Sequence, residues 1–491
     1  MSAEMPSFGE RFHQIATEKP DAIALIWAAE DGRETQHTFK ELDDRSTQLA
    51  KVLMHKGVGP NTNVAVRFKN SPEFVISCLA GWKAGGTVIP MRWDLPEWEL
   101  KRVEEVANPA AVLAPENMEL WKEAENESTE PFDFVLSPVA QGICSSGATG
   151  TPKVILQKVP AVWPPGARST AIQESYGPLK TEDQRTIVGG PMYHTNGFTG
   201  LRDLLSGFSI ITNERFKAER VVDLIEKYKP TGMVAATPLL QRIAQVENVR
   251  ERDFSSMQWV IQGAAVLPPW VADTWFALVG AENMYLLYGS TEGAGVVCIL
   301  GSEYQKHPGS LGKGIMGTSI KVLDADGNEC APREIGEIYM RPGSGVLTHE
   351  YLGNVSQTPV TSDGFTTIGD MGWMDEEGYL YIADRRVDMI KTGGANVFPA
   401  EVEVALSDHP DIVDVVVIGL NDPEWGKRVH AIVQPRDPAN PPDPADLIAY
   451  AKSRLSPYKV PKTVEFLDRI PRSEAGKVSR GALITEREPA S

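Results

Sequence analysis

One stretch is the most informative part of the sequence: Ser145-Ser146-Gly147-Ala148-Thr149-Gly150-Thr151-Pro152-Lys153. Its two glycines let the backbone approach an anion closely, and its four hydroxyl side chains add hydrogen-bond donors. The terminal lysine brings a positive charge to the most anionic end of such a ligand. In the P-loop of NTPases the lysine directly follows a glycine, whereas Thr151 and Pro152 intervene here. The stretch therefore predicts the phosphate-binding loop of another class of nucleotide enzyme, with an ordinary surface turn as the alternative.

The size and charge of the chain limit what it can be. Its 491 residues exceed the length at which one hydrophobic core keeps growing, so we expect at least two structural units. A hydrophobic fraction of 42% and a charged fraction of 23% are ordinary for a globular protein. The formal net charge of −18 argues against nucleic acid or an anionic membrane surface as a partner.

The cysteine pattern and the first residues bear on the compartment. The four cysteines lie far apart without a C-x-x-C pair, which is typical of reduced thiols rather than of zinc ligands or a disulfide framework. Residues 1–14 lack the apolar core of a signal peptide, and the sequence has no run of about 18 apolar residues. We therefore expect a cytoplasmic enzyme without integral membrane association. The cysteines are Cys78, Cys144, Cys298 and Cys330.

Helices and strands alternate through the first 260 or so residues. The apolar spacing predicts a helix over 39–56, opened by Thr38, and a strand over 63–68. Ser71-Pro72 supplies an N-cap and a first-turn proline to the next helix. This alternation is typical of α/β layers with mainly parallel strands. Further elements are predicted at 87–89, 96–106, 111–114, 186–189, 209–212, 217–228, 232–236 and 257–262.

The predicted secondary structure changes in the last third of the chain. From about residue 311, short alternating strands and Gly/Asp turns predict a β-rich subdomain, with strands at 319–323 and 336–340. After the charged stretch 384–388 comes a segment of roughly 100 residues, which is large enough to be a separate domain. Its predicted strands are 412–420, 428–434 and 463–467, and its predicted helices are 400–407 and 444–454.

Three further stretches supply what an ATP site needs. Residues 285–293, YLLYGSTEG, place an aromatic ring, a hydroxyl and a carboxylate close together, as suits adenine, phosphate and Mg²⁺. Residues 361–370 end an apolar strand with Asp370, which could accept both ribose hydroxyls. Residues 471–477 set Lys477 after a glycine in a loop near the C-terminus. Taken singly, each has a plain alternative: a buried tyrosine, a turn aspartate and a solvated lysine.

In this order and spacing, the stretches resemble those of the adenylate-forming superfamily, and within it the acyl-CoA synthetase branch, over essentially the whole chain. The resemblance implies an α/β protein with a large N-terminal domain of two α/β subdomains plus a β-barrel subdomain, and a small α+β C-terminal lid. The expected boundaries are 1–384, a hinge at 385–388, and 389–491. The matching segments are 145–153, 288–292, Gly369-Asp370 with Arg385, 391–401 and Gly476-Lys477.

The resemblance also implies a reaction. An acid attacks the α-phosphate of ATP and leaves as an acyl-adenylate with release of pyrophosphate, and the thiol of coenzyme A then takes the acyl group. By this resemblance Glu292 binds Mg²⁺, Lys153 the β- and γ-phosphates, and Tyr288 the adenine. Asp370 and Arg385 bind the ribose.

The remaining expected roles concern the lid and the acyl pocket. Lys477 bridges the carboxylate and α-phosphate oxygens, and His194 borders the acyl pocket and gates the thiol tunnel. The expected catalytic residues are thus Lys477, Glu292 and His194. The expected nucleotide- and CoA-binding residues are Ser145, Ser146, Gly147, Thr149, Gly150, Thr151, Lys153, Gly263, Ala264, Tyr288, Gly289, Thr291, Asp370, Arg385, Lys391, Gly393 and Gly394.

Two positions depart from the family pattern. Val154 follows Lys153 where the family usually has glycine, which should not affect phosphate contacts made before it. Val387 stands where the hinge residue is usually Asp or Lys. Because a hinge needs backbone freedom rather than a particular side chain, rotation of the lid is still expected.

The sequence bears on the substrate and on rival functions. Small residues at 235–236, 263–265 and 293–295 favour a bulky aryl or polycyclic acid over acetate. One alternative is an adenylating enzyme that passes its acyl group to a carrier-protein thiol or another nucleophile; residues 191–198 contain no acidic side chain, which argues against amino acids. A second alternative is a nucleotide-binding or regulatory protein that has lost catalysis; the presence of Lys477 and Glu292 argues against it. A homodimer is a possible assembly.

Overall fold

The computed structural model describes residues 5–146, 152–353, 357–473 and 476–488. The predicted phosphate-loop residues Gly147, Thr149, Gly150 and Thr151 lie outside the described residues. The side chains of Ser145 and Ser146 are likewise outside the description, although their backbone belongs to a strand.

The described chain is mixed α/β, as predicted. The helices are α1 (Phe8–Glu18), α2 (Phe39–His55), α3 (Pro72–Lys83), α4 (Glu97–Ala107), α5 (Glu119–Ala124), α6 (Ala171–Glu174), α7 (Thr195–Phe198), α8 (Leu201–Leu205), α9 (Ala218–Tyr228), α10 (Thr237–Ala244), α11 (Pro269–Val279), α12 (Gly301–Tyr304), α13 (Pro399–Ser407), α14 (Pro444–Lys452) and α15 (Arg480–Arg487).

The strands are β1 (Ile23–Ala28), β2 (Glu34–Thr38), β3 (Asn63–Val66), β4 (Thr87–Pro90), β5 (Pro109–Leu113), β6 (Gln141–Ser146), β7 (Pro152–Gln157), β8 (Arg185–Val188), β9 (Ser209–Asn213), β10 (Gly232–Ala236), β11 (Trp259–Gly263), β12 (Met284–Gly289), β13 (Val296–Leu300), β14 (Ser310–Ile315), β15 (Ser319–Leu323), β16 (Gly336–Arg341), β17 (His349–Leu352), β18 (Asp370–Met374), β19 (Leu380–Arg385), β20 (Ile390–Thr392), β21 (Ala395–Val397), β22 (Ile412–Asp422), β23 (Gly426–Pro435) and β24 (Thr463–Phe466).

Local sequence explains the helix starts that were predicted. Thr38 opens α2 with a capping box, in which its side chain accepts from the backbone of Glu41 and the Glu41 side chain accepts from the backbone of Thr38. Ser71 caps α3 more simply, since its side chain accepts from the backbone of Phe74, with Pro72 in the first turn. Helix α1 and the β1–β2 hairpin were not predicted, because the polar residues of this segment mask the buried stripe of Phe8, Phe12, Ile15 and Ala16.

The largest sheet has the order β15-β16-β18-β19-β14-β13-β12-β11-β10-β8-β9-β1-β2. From β1 to β12 its neighbours run parallel, through the pairs β1–β9, β9–β8, β8–β10, β10–β11 and β11–β12. From β12 onward the neighbours are antiparallel. The carboxyl ends of β8, β10, β11 and β12 therefore meet at one edge, where α/β proteins bind their ligands.

The β-rich subdomain is confirmed as the antiparallel half of this sheet. Strands β14 to β19, without β17, extend it outward to β15 at the edge. Within the described ranges the strand pairs do not close on themselves, so the expected β-barrel is an open antiparallel extension. Its core includes Val297, Val322, Ile338 and Leu380.

A second sheet, of order β17-β7-β6-β4-β3-β5, carries the phosphate-loop region. Strands β6 and β7 form an antiparallel pair in which Ser145 lies opposite Lys153. Strand β17 comes from far along the chain and pairs with the outer side of β7, with Tyr351 opposite Ile155. The sheet therefore brings residues 349–352 beside β7, a long-range pairing that no local sequence pattern predicts.

The C-terminal segment folds around a sheet of its own. Strands β20 to β24 pair with one another, with β22 and β23 as a long antiparallel hairpin. Helices α13 and α14 cover one face through residues such as Val402, Leu406 and Leu447. The boundary at 385–388 stays a prediction. None of the described helices is both long and apolar enough to cross a membrane.

A buried ion pair ties helices α2 and α3 together. The ammonium of Lys83, whose side chain is 0% exposed, lies 2.6 Å from Asp43 Oδ1 and 2.8 Å from Thr47 Oγ1. His13 Nδ1 lies 2.7 Å from the second carboxylate oxygen of Asp43. Burial lowers the pKa of Lys83 to about 8, against the opposing attraction of Asp43.

We expect Lys83→Met to destabilise the protein by about 3–5 kcal/mol, because it leaves the Asp43 carboxylate buried without its cation. The measurement is the thermal unfolding midpoint. Lys40→Met is the matched control, since its ion pair with Asp44 is largely exposed, and it should change stability by no more than about 0.5 kcal/mol. Equal midpoints for the two variants would contradict the role given to the buried pair.

Candidate active site

The loops at the carboxyl ends of the parallel strands carry most of the expected site residues. His194 follows β8, and Ala264 and Thr291 follow β11 and β12. A hydrogen bond of 3.0 Å between Thr195 Oγ1 and Thr291 Oγ1 joins the first and last of these loops. The predicted residues His194, Gly263, Ala264, Gly289, Thr291 and Glu292 therefore lie along one sheet edge.

Gln262, which the sequence did not single out, holds the loop after β11. Its buried amide Nε2 donates to Thr237 Oγ1 at 2.7 Å and to the carbonyl of Ala265 at 2.7 Å. Between these anchors Ala264 has a φ of +74°, a left-handed conformation that side chains other than glycine adopt at a cost. A buried polar residue at the end of an apolar strand is the signal that could have identified Gln262.

Glu292 and Lys153 meet beside a tyrosine. Lys153 Nζ lies 3.6 Å from Glu292 Oε1 and 3.9 Å from the ring centre of Tyr351. The hydroxyl of Tyr351 donates to the same oxygen of Glu292 at 2.8 Å. The structure thus brings together the predicted metal ligand and the predicted phosphate-binding lysine, with Tyr351 in contact with both.

The Glu292 carboxylate is suited to Mg²⁺. Burial alone would raise its pKa, but the Tyr351 hydroxyl, its own backbone N–H and Lys153 together hold the pKa below its ordinary value. Within the described ranges, no cluster of three or more His, Cys, Asp or Glu side chains could hold a metal. One ionised carboxylate beside Lys153 is a donor set that fits Mg²⁺, which commonly takes one or two protein carboxylates together with substrate phosphates.

Tyr288, Asp370 and Arg385 form a second cluster. The hydroxyl of Tyr288 donates to Asp370 Oδ2 at 2.7 Å, and Arg385 Nε lies 3.5 Å from Asp370 Oδ1. Burial raises the pKa of Asp370, while Tyr288 and Arg385 oppose this rise. The strand pairing of β18 with β19 places Asp370 opposite Arg385, so the expected ribose ligands are neighbours by register.

Lys477 of the C-terminal segment reaches this edge. The surrounding protein desolvates the half-buried imidazole of His194 and, with the charge of Lys477, lowers its pKa to about 3, so that it is neutral. Desolvation and repulsion from Arg385 lower the pKa of Lys477, while Glu292 raises it. The side chain of Lys477 nevertheless remains exposed to solvent over part of its surface.

The loop that carries Lys477 is braced from within the lid. Arg472 binds both carboxylate oxygens of Asp414, at 2.6 and 2.9 Å, and donates to the carbonyl of Gly476 at 3.0 Å. The backbone of Ser473 donates to the carbonyl of Lys477 at 2.8 Å. Such a bidentate pair fixes the loop to strand β22.

Helix α10 of the main sheet receives this loop. A Cβ at Gly476, where φ is +77°, would lie 2.4 Å from Pro238 Cγ, so only glycine fits at this contact. Gln241 Nε2 donates to the carbonyl of Val413 at 2.8 Å and adds a polar contact between the same two regions. The lid is thus docked on α10 with Lys477 turned to the sheet edge.

The remaining expected lid residues lie elsewhere. Lys391, Gly393 and Gly394 lie on the exposed β20–β21 hairpin, and both glycines have a positive φ. A Cβ at Gly393 would lie 2.6 Å from the ring of Trp425, which is 42% exposed. All three residues are exposed, and a Cβ at Gly394 would meet nothing within 4 Å.

Charged residues surround the predicted hinge. Asp384 accepts from the backbone of Arg385 at 2.7 Å and from Ala400, in the first turn of α13, at 2.8 Å. Burial raises the pKa of Asp384 to about 6. Arg480 lies 3.1 Å from Asp388. Val387, which departs from the family pattern, is 77% exposed, so its side chain is free of packing demands.

Two buried polar atoms at the site have no hydrogen-bond partner within the described part of the chain. They are Asn196 Nδ2, after β8, and Ser290 Oγ, after β12. Buried polar groups are normally paired, so these atoms are candidates for ligand contacts. Neither residue is among the expected site residues, although Ser290 lies within the stretch 285–293.

Comparisons with known proteins agree with this geometry. The family described as AMP-binding enzyme matches residues 12–352, and the AMP-binding enzyme C-terminal domain matches residues 401–477. The chain is 30% identical over 471 residues to a feruloyl-CoA synthase of Amycolatopsis sp, covering 91% of this chain and 94% of that protein. It is 28% identical to the fatty acid–[acyl-carrier-protein] ligase ScoC of Streptomyces coeruleorubidus, with 91% of each chain covered.

Among solved structures, the chain is similar to the o-succinylbenzoate CoA synthetase of Bacillus subtilis in complex with its acyl-adenylate intermediate. The TM-score is 0.81, with 26% identity and 98% of each chain covered. The same protein has been solved with ATP and a magnesium ion, and that structure gives a TM-score of 0.79 at 26% identity, covering 96% of this chain and 98% of the other.

We expect Gly476→Ala to loosen the docking of the lid on α10. The added Cβ meets Pro238 and forces alanine to a positive φ, at a cost of about 1–3 kcal/mol. Hydrogen exchange of the α10 amides should therefore speed up by about tenfold. Gly481→Ala is the matched control, because a Cβ there meets nothing within 4 Å. Unchanged exchange in Gly476→Ala would show that the contact does not hold the lid.

Proposed function

The chain belongs to the AMP-binding enzyme family, and we propose that the acid it activates is a bulky aromatic carboxylic acid. It is an AMP-forming acid–thiol ligase. In the first half-reaction the carboxylate attacks the α-phosphate of ATP, the bond to pyrophosphate breaks, and an acyl-adenylate forms. In the second, the thiol of coenzyme A attacks the acyl carbon and AMP leaves.

The observation that carries the residue assignments is the position of Lys477. After desolvation, the charges of Arg385 and Glu292 are the main influences on the pKa of Lys477, and Lys477 in turn adds to the lowering of the His194 pKa, so its ammonium lies close to these three side chains. A cation held at this edge can neutralise charge that develops as the carboxylate attacks the α-phosphate. We assign this role to Lys477, and we take the docked lid to be the arrangement for the first half-reaction.

The nucleotide is assigned to the two clusters at the sheet edge. Tyr288 provides a ring for the adenine, and Asp370 with Arg385 provides a carboxylate and a cation for the ribose. Lys153 and the loop that precedes it take the β- and γ-phosphates. These groups act by positioning the α-phosphate for in-line attack, because the chemistry needs no covalent enzyme intermediate.

Glu292 is the residue that would hold Mg²⁺. Its ionised carboxylate lies beside Lys153 and would supply the protein's oxygen ligand, with substrate phosphates and water as the other ligands. When bound, Mg²⁺ supplies charge neutralisation at the phosphate oxygens.

Neutral His194 is suited to border the acyl pocket. An uncharged imidazole adds no positive charge that would pull the substrate carboxylate away from Lys477. The ring can instead pack against the acyl group and shift as the thiol enters.

The class of acid is supported by two observations. The residues at 235–236, 263–265 and 293–295 are small, with Ala235, Ala236 and Ala294 packed in the hydrophobic cores behind the sheet edge. The named acids of two relatives, feruloyl and 2-succinylbenzoate, contain an aromatic ring. A cytoplasmic location and a homodimer stay predictions.

A panel of acids tests this proposal. Short-chain, long-chain, aryl and polycyclic acids are each incubated with ATP, Mg²⁺ and coenzyme A, and the acyl-AMP and thioester are measured by mass spectrometry. We expect aryl acids to give both products and acetate to give neither. Activity confined to acetate or to long-chain acids would contradict the proposed substrate class.

The acceptor has one specific rival. The similarity to ScoC, whose name specifies an acyl carrier protein, favours a carrier-protein thiol as the second candidate. A parallel reaction with holo-acyl carrier protein in place of coenzyme A separates the two. Faster transfer to the carrier protein would favour the rival.

We expect Lys477→Ala to slow adenylation by about 100- to 1000-fold, because a cation positioned at developing negative charge contributes about 3–4 kcal/mol. Thioester formation from supplied acyl-AMP should be largely unaffected, since the lysine serves only the first half-reaction. Single-turnover measurements of each half-reaction check this. Equal losses in both would overturn the assignment of Lys477 to one lid orientation.

Glu292→Gln should raise the Mg²⁺ concentration needed for half-maximal adenylation by about tenfold or more, with little effect on the melting temperature. The amide keeps the volume and one oxygen but loses the charge that a hard cation prefers. The measurement is pyrophosphate release as a function of Mg²⁺ at fixed ATP. If the variant and parent curves overlay, Mg²⁺ binds elsewhere.

A further inference from the structure

We propose that Tyr351 is a positioning residue for nucleotide binding, which holds the Glu292 carboxylate and the Lys153 ammonium apart and in place before Mg²⁺ and ATP arrive. This inference rests on the proposed roles of Glu292 and Lys153. Tyr351 lies in neither of their sequence stretches, and it acts through them rather than on the reacting atoms.

Strand pairing places Tyr351 beside the strand that carries Lys153. Strand β17 pairs antiparallel with β7, so that Tyr351 lies opposite Ile155, two residues beyond Lys153. From this position its ring reaches under the Lys153 ammonium, and its hydroxyl reaches Glu292 in the loop after β12. One side chain on the second sheet therefore contacts groups carried by both sheets.

The direction of the hydrogen bonds is determined by a neighbouring hydroxyl. Thr358 Oγ1 donates to the phenol oxygen of Tyr351 at 3.1 Å, and His349 Nε2 lies 2.7 Å from Thr358 Oγ1. Because the phenol oxygen accepts from Thr358, its single proton is available to Glu292 Oε1. The chain from Thr358 through Tyr351 thus aims a donor at the carboxylate, and linked donors of this kind strengthen one another.

The contacts of Tyr351 weaken the tendency of Lys153 and Glu292 to close into a tight ion pair. An unshielded lysine and glutamate beside each other would form a close ion pair, which ATP and Mg²⁺ would then have to separate. Here the phenol occupies Oε1, and the ring face offers Lys153 a second attractive surface at 3.9 Å. The ammonium and carboxylate consequently stay 3.6 Å apart, longer than the roughly 2.7–2.9 Å of a tight charged hydrogen bond between nitrogen and oxygen.

The test separates the hydroxyl from the ring. Tyr351→Phe removes the bond to Glu292 but keeps the ring under Lys153, and Tyr351→Leu removes both. Tyr228→Phe is the matched control, because the hydroxyl of Tyr228 also donates to a glutamate, Glu34, in a pair remote in sequence from the loops of the site. ATP binding without any acid is measured by calorimetry across a Mg²⁺ titration, beside a melting curve for each variant.

We expect Tyr351→Phe to raise the Mg²⁺ midpoint for ATP binding by roughly tenfold, because a hydrogen bond to a charged group is lost. Its adenylation kcat at saturating Mg²⁺ should stay within about twofold of the parent, since the phenol does not touch the reacting atoms. Tyr351→Leu should also weaken ATP binding at saturating Mg²⁺, because Lys153 loses its support. Tyr228→Phe should match the parent.

A double variant tests whether Tyr351 acts through Glu292. In a Glu292→Gln background, Tyr351→Phe should change the Mg²⁺ midpoint much less than in the parent. An unchanged midpoint in Tyr351→Phe with only a lower melting temperature would reduce Tyr351 to a packing residue and overturn the inference. A parent protein that binds no ATP at any Mg²⁺ concentration would overturn the proposed function as well, so the two failures are distinguishable.

Discussion

The parallel register of β8, β10, β11 and β12 is the constraint on which the site depends. Parallel neighbours must end at the same edge, so loops that lie far apart in sequence are brought to one line. The bond between Thr195 and Thr291 fixes the two ends of that line, and Gln262 fixes its middle. The loops proposed to contact charged ligands are therefore positioned by the sheet itself.

The second constraint is electrostatic. The chain carries a net charge of −18, yet its ligands ATP and coenzyme A are anions. Local cations must therefore outweigh the overall repulsion, and the cations proposed for this role come from separate elements: Lys153 from the second sheet, Arg385 from the β-rich extension and Lys477 from the C-terminal segment. In the structure the Lys477 loop packs on α10, and on the proposed roles recognition of the anion depends on the position of the C-terminal segment.

Much of this could be read from the sequence, and the limits have physical reasons. Helix starts such as Thr38 and Ser71 follow from side chains close to the backbone they cap, so local rules find them. The family resemblance gave Glu292, Asp370 and Lys477 as site residues, and the structure brings their loops together. Tyr351, Gln262 and Arg472 were missed, because their importance arises from partners that only tertiary pairing supplies. The expected barrel is an open extension because β15 ends the sheet without a further partner in the described chain.

The brace between Arg472 and Asp414 has a consequence for the timing of the two half-reactions. Because it fastens the carbonyl of Gly476 to strand β22, the loop that carries Lys477 is tied to the C-terminal segment. On the roles proposed above, withdrawal of Lys477 and movement of the C-terminal domain would be a single event. The cation assigned to adenylate formation would then leave by the same motion that clears a path for the thiol, so that the first step is complete before the second begins.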